Sequence, residues 1–398
     1  MLLAAFGDPG HAFPAIALGR ELTARGHEVC LQTWSRWRDE VEREGMRFAA
    51  APEYQVFPTR ERALKPYAAA VRAARETRPL VAEFDPDAVV VDILTVAAGL
   101  AAELEERPWA TLVPHLLPVS DPGFPPYSVG ARLPRTRAGA GLWRAFDPIL
   151  RVGVERGREE LNGSRARVDL PPLSHVHGGI SRSLALVATF PQLEYPRAVA
   201  QPWVRTTGPL MWERPFGEVS LPPGDDPLVL VAPSTSQDPG GRLVRAALEG
   251  LASEQVRVLA TINRVRGVGG GFEVPPNARV VDWLSYARTM PGCAAVVCHA
   301  GHGTVARALA CGVPVVACPA AGDMAENAAR VAWFGAGVSL PRRLSSSRGV
   351  RLAVRAVLGE PGYATRAAEL AGWAVENDGA RRAADEVERW VEAPHRIS

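Results

Sequence analysis

The clearest chemistry in this chain lies in nine consecutive residues, Val296-Val297-Cys298-His299-Ala300-Gly301-His302-Gly303-Thr304. An apolar run ends at His299, a turn with two glycines follows, and helical spacing begins at Gly303. Open parallel sheets bind ligands at such turns, at the carboxyl ends of their strands. The unpaired N–H groups and the positive end of the helix suit a diphosphate. Gly301 and Gly303 let phosphate oxygens approach the backbone, Thr304 offers a hydroxyl, and His299 offers a ring N–H. Doubly wound proteins contain several glycine turns of this kind, so the neighbours decide. Gly312-Val313-Pro314 ends the helix and opens a strand running to Pro319, and Asp323 and Asn327 are spaced to open the next helix. Upstream, Asp282-Trp283-Leu284 ends another strand, and Trp283 presents an aromatic face on which a base could stack.

Two parallel sheets are needed to position these residues. The first half begins with an apolar strand over 2–6, a helix over 14–25 stopped by Gly26, and a strand over 29–33. A strand over 88–91, a helix over 96–106 and a strand over 109–113 continue the alternation. Pro, Gly and aromatic residues crowd 114–148, which predicts a long irregular loop with room for a short helix, a binding loop or a disordered one, before a helix over 148–167 and a strand over 184–189. The pattern restarts with a strand over 228–232, a turn at Pro233-Ser234-Thr235-Ser236 and a helix over 242–253. Strands over 256–261, 279–281, 295–299 and 313–318 follow, with a helix over 303–311. Continuous apolar strands alternating with amphipathic helices define an α/β fold of two Rossmann-like parallel-sheet domains facing each other across a cleft. The domains are expected at 1–207 and 228–375, with a Pro/Gly-rich linker at 208–227 and a closing helix in 376–398 that packs back on the first domain.

Composition narrows the class. The chain of 398 residues is too long for one core, and its net charge of +2 gives no footprint for nucleic acid or an anionic membrane. No run approaches the roughly 18 apolar residues of a membrane span. Residues 2–6 lack the basic flank and long apolar stretch of a signal peptide, so a cytoplasmic location is expected. Five cysteines without a CxxC pair (Cys30, Cys293, Cys298, Cys311, Cys318) read as reduced thiols, four of them among core-like neighbours.

The run of motifs resembles the GT-B glycosyltransferases that move sugars from nucleoside diphosphates to small lipophilic acceptors, in bacterial antibiotics and plant metabolites. The matching pattern is Trp283, His-x-Gly-x-Gly-Thr over 299–304, Gly-Val-Pro over 312–314, Pro-x-x-x-Asp-x-x-x-Asn-Ala over 319–328, and Gly-x-Gly-Val over 335–338. The resemblance implies that Trp283 and the Leu284 backbone hold the base. It implies that His299, Gly301, Gly303 and Thr304, with Ser234, Thr235 and Ser236, hold the diphosphate, and that Asp323 with Met324 faces the sugar. It further implies that His11, after the first strand, is the general base and Asp92 its carboxylate partner. Imidazole suits that task because its pKa lies near neutrality. The step implied is direct displacement with inversion and without a metal or other cofactor, in a monomer or homodimer. Phe57, His115, Phe124, Tyr127 and Trp143 are the candidate acceptor-pocket residues.

Three positions depart from the family pattern: Met324 and Tyr286 stand where glutamines are common, and Arg307 stands where many members carry a ribose-binding Glu. These losses of polar contacts favour dTDP over UDP and a sugar with fewer hydroxyls. Plainer uses exist for the same residues: Asp92 and Asp323 as helix caps, His11 as a turn residue, His299 and Trp283 as core. His302, His175 and His177 read as solvent-facing, and the glycines over 267–271 as a surface loop without the Lys-Ser/Thr of a phosphate loop. A nicotinamide dehydrogenase is disfavoured because neither first turn reads Gly-x-Gly-x-x-Gly. A GT-B-fold sugar-nucleotide epimerase, or a catalytically inactive sugar-nucleotide-binding partner, remains the alternative, and the presence of both His11 and Asp92 argues against each.

Overall fold

The computed structural model describes residues 1–52, 69–119, 121–175, 179–198, 200–234, 238, 240–263, 273–320 and 322–393. Phe57, Thr235, Ser236, His177 and the glycines over 267–271 therefore lie outside the described residues.

The first sheet contains β1 (Leu2–Ala4), β2 (Cys30–Thr33), β3 (Arg47–Ala50), β4 (Val89–Asp92), β5 (Trp109–Val113), β6 (Ala185–Val187) and β7 (Val204–Thr206). Their order is β3-β2-β1-β4-β5-β6-β7, and every pairing is parallel. The second sheet contains β8 (Leu228–Ala232), β9 (Arg257–Thr261), β10 (Ala278–Val281), β11 (Ala295–Cys298), β12 (Val315–Ala317) and β13 (Gly337–Ser339). It runs β10-β9-β8-β11-β12-β13, again all parallel. The fold is thus the α/β, GT-B pair of Rossmann-like domains. Central strands such as β1, β4, β8 and β11 are buried throughout, because helices cover both faces and every position can be apolar.

The strand order reverses direction between β1 and β4 in the first sheet and between β8 and β11 in the second. Such a reversal opens a crevice at the strand ends, since the flanking connections leave on opposite faces. His11 follows β1 and Asp92 ends β4, while Ser234 follows β8 and His299 follows β11. Each set of candidate residues therefore stands at the switch point of its own sheet.

Several local expectations shift. The first helix is Pro9–Ala24, beginning five residues earlier than Pro14 suggests. Asp8 has extended backbone and Pro9 occupies the first helical turn, the placement proline tolerates best. Pro14 instead sits inside the helix, forfeiting only a bond to the carbonyl of exposed Gly10. The crowded segment after β5 does hold a short helix, Arg137–Arg144, before the longer Asp147–Ala166. Edge strands β3 and β7, and the helices Ala70–Phe84, Ser347–Gly359 and Pro361–Glu376, were not expected. Three cysteines are buried, Cys293 and Cys311 are only half-buried, and all five are free thiols.

The helix Gly379–Glu392 lies against Pro9–Ala24, with Ala383, Ala384 and Val387 joining Leu18 and Leu22 in one apolar cluster. Arg25 fixes that contact through Asp385 at 2.7 Å and Glu388 at 2.6 Å.

Candidate active site

The site is built outward from β1 and β4. Helix Pro9–Ala24 starts immediately after the turn at Gly7, so His11 lies in its first turn and projects at the strand ends. Gly7 is required there, because a Cβ would fall 2.0 Å from the Trp34 ring. His11 Nδ1 lies 2.8 Å from Asp92 Oδ2, and the Asp92 side chain is fully buried. A carboxylate can only accept, so Nδ1 carries the proton and the Nε2 lone pair is left unprotonated. The second carboxylate oxygen accepts the Leu94 N–H at 2.9 Å, which fixes Asp92 from both sides. Burial alone would lower the His11 pKa, but the charge and hydrogen bond of Asp92 outweigh it, aided by Asp323 and Asp8, and the pKa is raised.

Apolar and aromatic groups line this half of the cleft. Phe6 meets His11 edge-on at 5.9 Å and Trp34 at 4.9 Å. A cavity beside them is walled by Ala4, Phe6, Trp34, Thr77 and Ala98. His115 lies 6.2 Å from His11 by ring centroids, and its Nδ1 is 2.8 Å from the Leu116 carbonyl and 3.3 Å from the Tyr127 hydroxyl. Phe124 faces Tyr195 instead, and Trp143 pairs with Phe146 where helices Arg137–Arg144 and Asp147–Ala166 meet, so neither is brought to His11. Phe6 and Trp34 are cavity residues that sequence reasoning missed; their signal was position, two residues after β1 and directly after β2.

Across the cleft, β11 delivers His299. Its Nδ1 lies 3.1 Å from the Ala232 carbonyl at the end of β8, so that nitrogen donates and Nε2 faces away from the strand. Burial lowers the His299 pKa, leaving a neutral ring. The ring packs over Gly301, where a Cβ would fall 2.4 Å from Nε2. Ala300 between them is held at φ 63°, a left-handed conformation that costs a non-glycine residue roughly 1–2 kcal/mol. Asn327, from helix Asp323–Phe334, holds that conformation by donating to the Ala300 carbonyl at 2.9 Å. Gly303 is exposed and Thr304 half-buried in the first turn of helix His302–Ala310, and Ser234 is buried at the end of β8.

His302 is not solvent-facing. Its Nε2 donates to the carbonyl of Ala188, just beyond β6 in the other domain, at 3.0 Å, and burial pushes its pKa down to about 4. A second tie crosses the cleft nearby: Arg330 donates to the Leu193 carbonyl at 3.2 Å and stacks on Tyr195, while Glu326 accepts from it at 2.8 Å. Asp323 opens the same helix, and its charge is felt by His11, His115, His299, His302 and Tyr127 together. Met324 packs into the apolar cluster that includes Tyr127 and Leu284. Trp283 lies against Phe216 of the connecting segment, ring centroids 5.4 Å apart. Among the described residues, no group of three or more His, Cys, Asp or Glu is arranged to hold a metal ion. Nor is any described helix long and apolar enough to cross a membrane.

Comparison with known proteins accords with this architecture. Residues 1–109 match the glycosyltransferase family 28 N-terminal domain, and residues 246–389 match the erythromycin biosynthesis protein CIII-like C-terminal domain. The chain is 31% identical to 4'-demethylrebeccamycin synthase of Lentzea aerocolonigenes, covering 98% of this chain and 99% of that protein. It is 28% identical to O-mycaminosyltylonolide 6-deoxyallosyltransferase of Streptomyces fradiae, covering 98% and 97%. Among solved structures, the kitacinnamycin glycosyltransferase superposes with a TM-score of 0.76 at 22% identity, over 98% of both chains. The glycosyltransferase VinC in complex with dTDP superposes at 0.70 and 19%, over 99% of both. With both halves matched in order and a full-length relative, the chain belongs to the GT-B glycosyltransferases of antibiotic and natural-product biosynthesis, enzymes of sugar transfer.

Proposed function

We propose that this enzyme transfers a deoxysugar from a dTDP-sugar, in preference to a UDP-sugar, to a hydroxyl of a small lipophilic natural product. His11 Nε2 takes the acceptor proton, Asp92 stabilises the resulting imidazolium, and the hydroxyl oxygen attacks the anomeric carbon from the face opposite the diphosphate, inverting it. The observation that carries this reading is the His11–Asp92 contact of 2.8 Å at one switch point, with Asp323 of the facing domain close enough to raise the same imidazole. General bases of this kind contribute about two to four powers of ten in rate.

The leaving diphosphate would be met by the N-terminus of helix His302–Ala310, Thr304, Ser234 and His299, so the reading assigns no metal to the step. The base would rest on Trp283 and Leu284, and the sugar on Asp323 and Met324. Apolar Met324 supports a sugar with few hydroxyls, as does the name of the deoxyallosyl-transferring relative. The dTDP complex of a structural neighbour supports the nucleotide choice. The apolar wall of Phe6, Trp34 and Ala98 supports a lipophilic acceptor.

The test is release of nucleoside diphosphate by the purified protein, expected only when a hydroxylated lipophilic acceptor is present and abolished by His11→Ala. Full activity in that variant removes His11 as the base. Hydrolysis or isomerisation of the donor without acceptor points to another enzyme class. Melting curves with dTDP and UDP rank the nucleotides, since a bound ligand stabilises by mass action.

A further inference from the structure

A nucleotide held at Trp283 by its base and at Gly301–Thr304 by its diphosphate must place its pentose between those points. Its 3'-hydroxyl, present in ribose and deoxyribose alike, needs an acceptor there. Helix His302–Ala310 supplies none, because Arg307 has only donors. An acidic side chain nevertheless reaches this place from outside either sheet. Glu213, in the segment between β7 and β8, accepts the Ala287 N–H on Oε2 at 3.0 Å and lies 3.6 Å from Arg307 Nε. Ala287 is four residues beyond Trp283, and Arg307 is three beyond Thr304, so Glu213 touches both the segment that follows the base candidate and the helix that opens at the diphosphate turn.

The carboxylate is fixed, not merely nearby. Arg307 Nη2 also donates to the Trp212 carbonyl at 3.4 Å. Trp212 is buried, and its indole N–H donates to Glu44 at 2.7 Å, which anchors this stretch of backbone on the first domain. Phe216, three residues beyond Glu213, rests against Trp283. Glu213 Oε1 has no donor among the described residues, and the side chain keeps 18% of its surface exposed. That oxygen is the available acceptor.

We infer that Glu213 is the pentose-recognising residue of the donor site, accepting the 3'-hydroxyl through Oε1 while Arg307 and the Ala287 N–H orient it. The inference rests on the nucleotide-sugar reading proposed above. It assigns Arg307 a positioning role, and it keeps a carboxylate at the pentose although the helix itself carries a cation.

The experiment measures binding of dTDP and of 3'-deoxythymidine diphosphate to the whole protein by calorimetry. A hydrogen bond to a charged acceptor is worth about tenfold or more in affinity, so the wild type should prefer dTDP by about that factor. Glu213→Ala should weaken dTDP by the same factor and leave the 3'-deoxy analogue unchanged. Glu213→Gln keeps one acceptor oxygen and should show an intermediate preference, separating recognition from any folding defect in the alanine variant. Equal weakening of both ligands by Glu213→Ala, or a wild type that binds both equally, overturns the assignment. A wild type that binds neither dTDP nor UDP instead overturns the donor reading, and this inference with it.

Discussion

Replacing Asp92 by Asn tests the proposed mechanism most directly, because the two side chains share a shape and differ in what they can accept. Both Asp92 oxygens are in use: Oδ2 faces His11 Nδ1 at 2.8 Å, and Oδ1 accepts the Leu94 N–H at 2.9 Å. Asn has one acceptor oxygen for these two donors. If it serves Leu94, its NH2 faces His11, and the imidazole must move its proton to Nε2 to present a lone pair at Nδ1. The nitrogen meant to act as base is then blocked, the wrong-tautomer effect known from other acid–base dyads. The charge that stabilises the imidazolium is lost as well. A charge-assisted hydrogen bond contributes about 1.5–3 kcal/mol, so kcat/KM should fall about ten- to a hundredfold, more if the tautomer shifts completely. The pH profile gives the sharper reading. In the wild type the His11 pKa is raised, so the neutral base is lost, and the rate falls, as pH drops through that raised value. Without the carboxylate, burial dominates and pushes the pKa down, so the acid limb must move to lower pH even as the plateau falls. Initial rates of acceptor-dependent diphosphate release across the neutral range supply both numbers. An acid limb that stays in place or moves upward, or a plateau within about twofold of wild type, refutes the dyad.

Other perturbations reach different parts of the site. Gly301→Ala puts a Cβ 2.4 Å from His299 Nε2, so the ring must leave its place on the Ala232 carbonyl; nucleoside diphosphate affinity should drop at least about tenfold, read by calorimetry, with the fold intact. Asn327→Ala releases the carbonyl that holds Ala300 left-handed and should cost about 1–3 kcal/mol in urea unfolding, with weakened diphosphate binding. His302 is neutral in the fold, its pKa lowered from 6.5 to about 4, so the unfolded chain takes up the proton first as pH falls. Its contribution to stability is therefore lost between those two values, and the drop in melting temperature over that window should be smaller in His302→Asn.

The sheets were legible because their strands are buried on both faces and read as unbroken apolar runs: β5 and β8 fall on the residues their sequence marks. The edges were not. β3 carries Arg47 and is partly exposed, and β7 is Val-Arg-Thr, so neither shows a run or a clean alternation. Pro14 misplaced the first helix because a proline near a helix start is common evidence, and Pro9 supplied the same evidence earlier. Diphosphate and base candidates were visible as local spacing, since a turn between a strand and a helix is a local object. His302 was misread because its partner, the Ala188 carbonyl, is 114 residues away in the other domain. Glu213 was invisible for the same reason: nothing in its neighbourhood marks it, and only the folded chain sets it beside Ala287 and Arg307.

The cleft gathers four histidines, and their partners decide which of them can change charge. His115 and His299 each direct Nδ1 at a backbone carbonyl, of Leu116 and Ala232, and His302 directs Nε2 at that of Ala188. A carbonyl fixes the tautomer but brings no charge to offset burial, and all three pKa values are lowered. His11 alone has a carboxylate, and its pKa alone among the four is raised. Asp323 acts on every one of these rings yet reverses the effect of burial in none that lacks its own carboxylate. The division follows from where the strands end: β4 ends in Asp92, whereas the three lowered rings meet carbonyls and uncharged side chains, Tyr127 beside His115 and Asn327 beside His302. Asp92→Ala, which leaves His11 no carboxylate, should therefore lower its pKa like those of the other three and remove the one of these four rings poised to take a proton near neutrality.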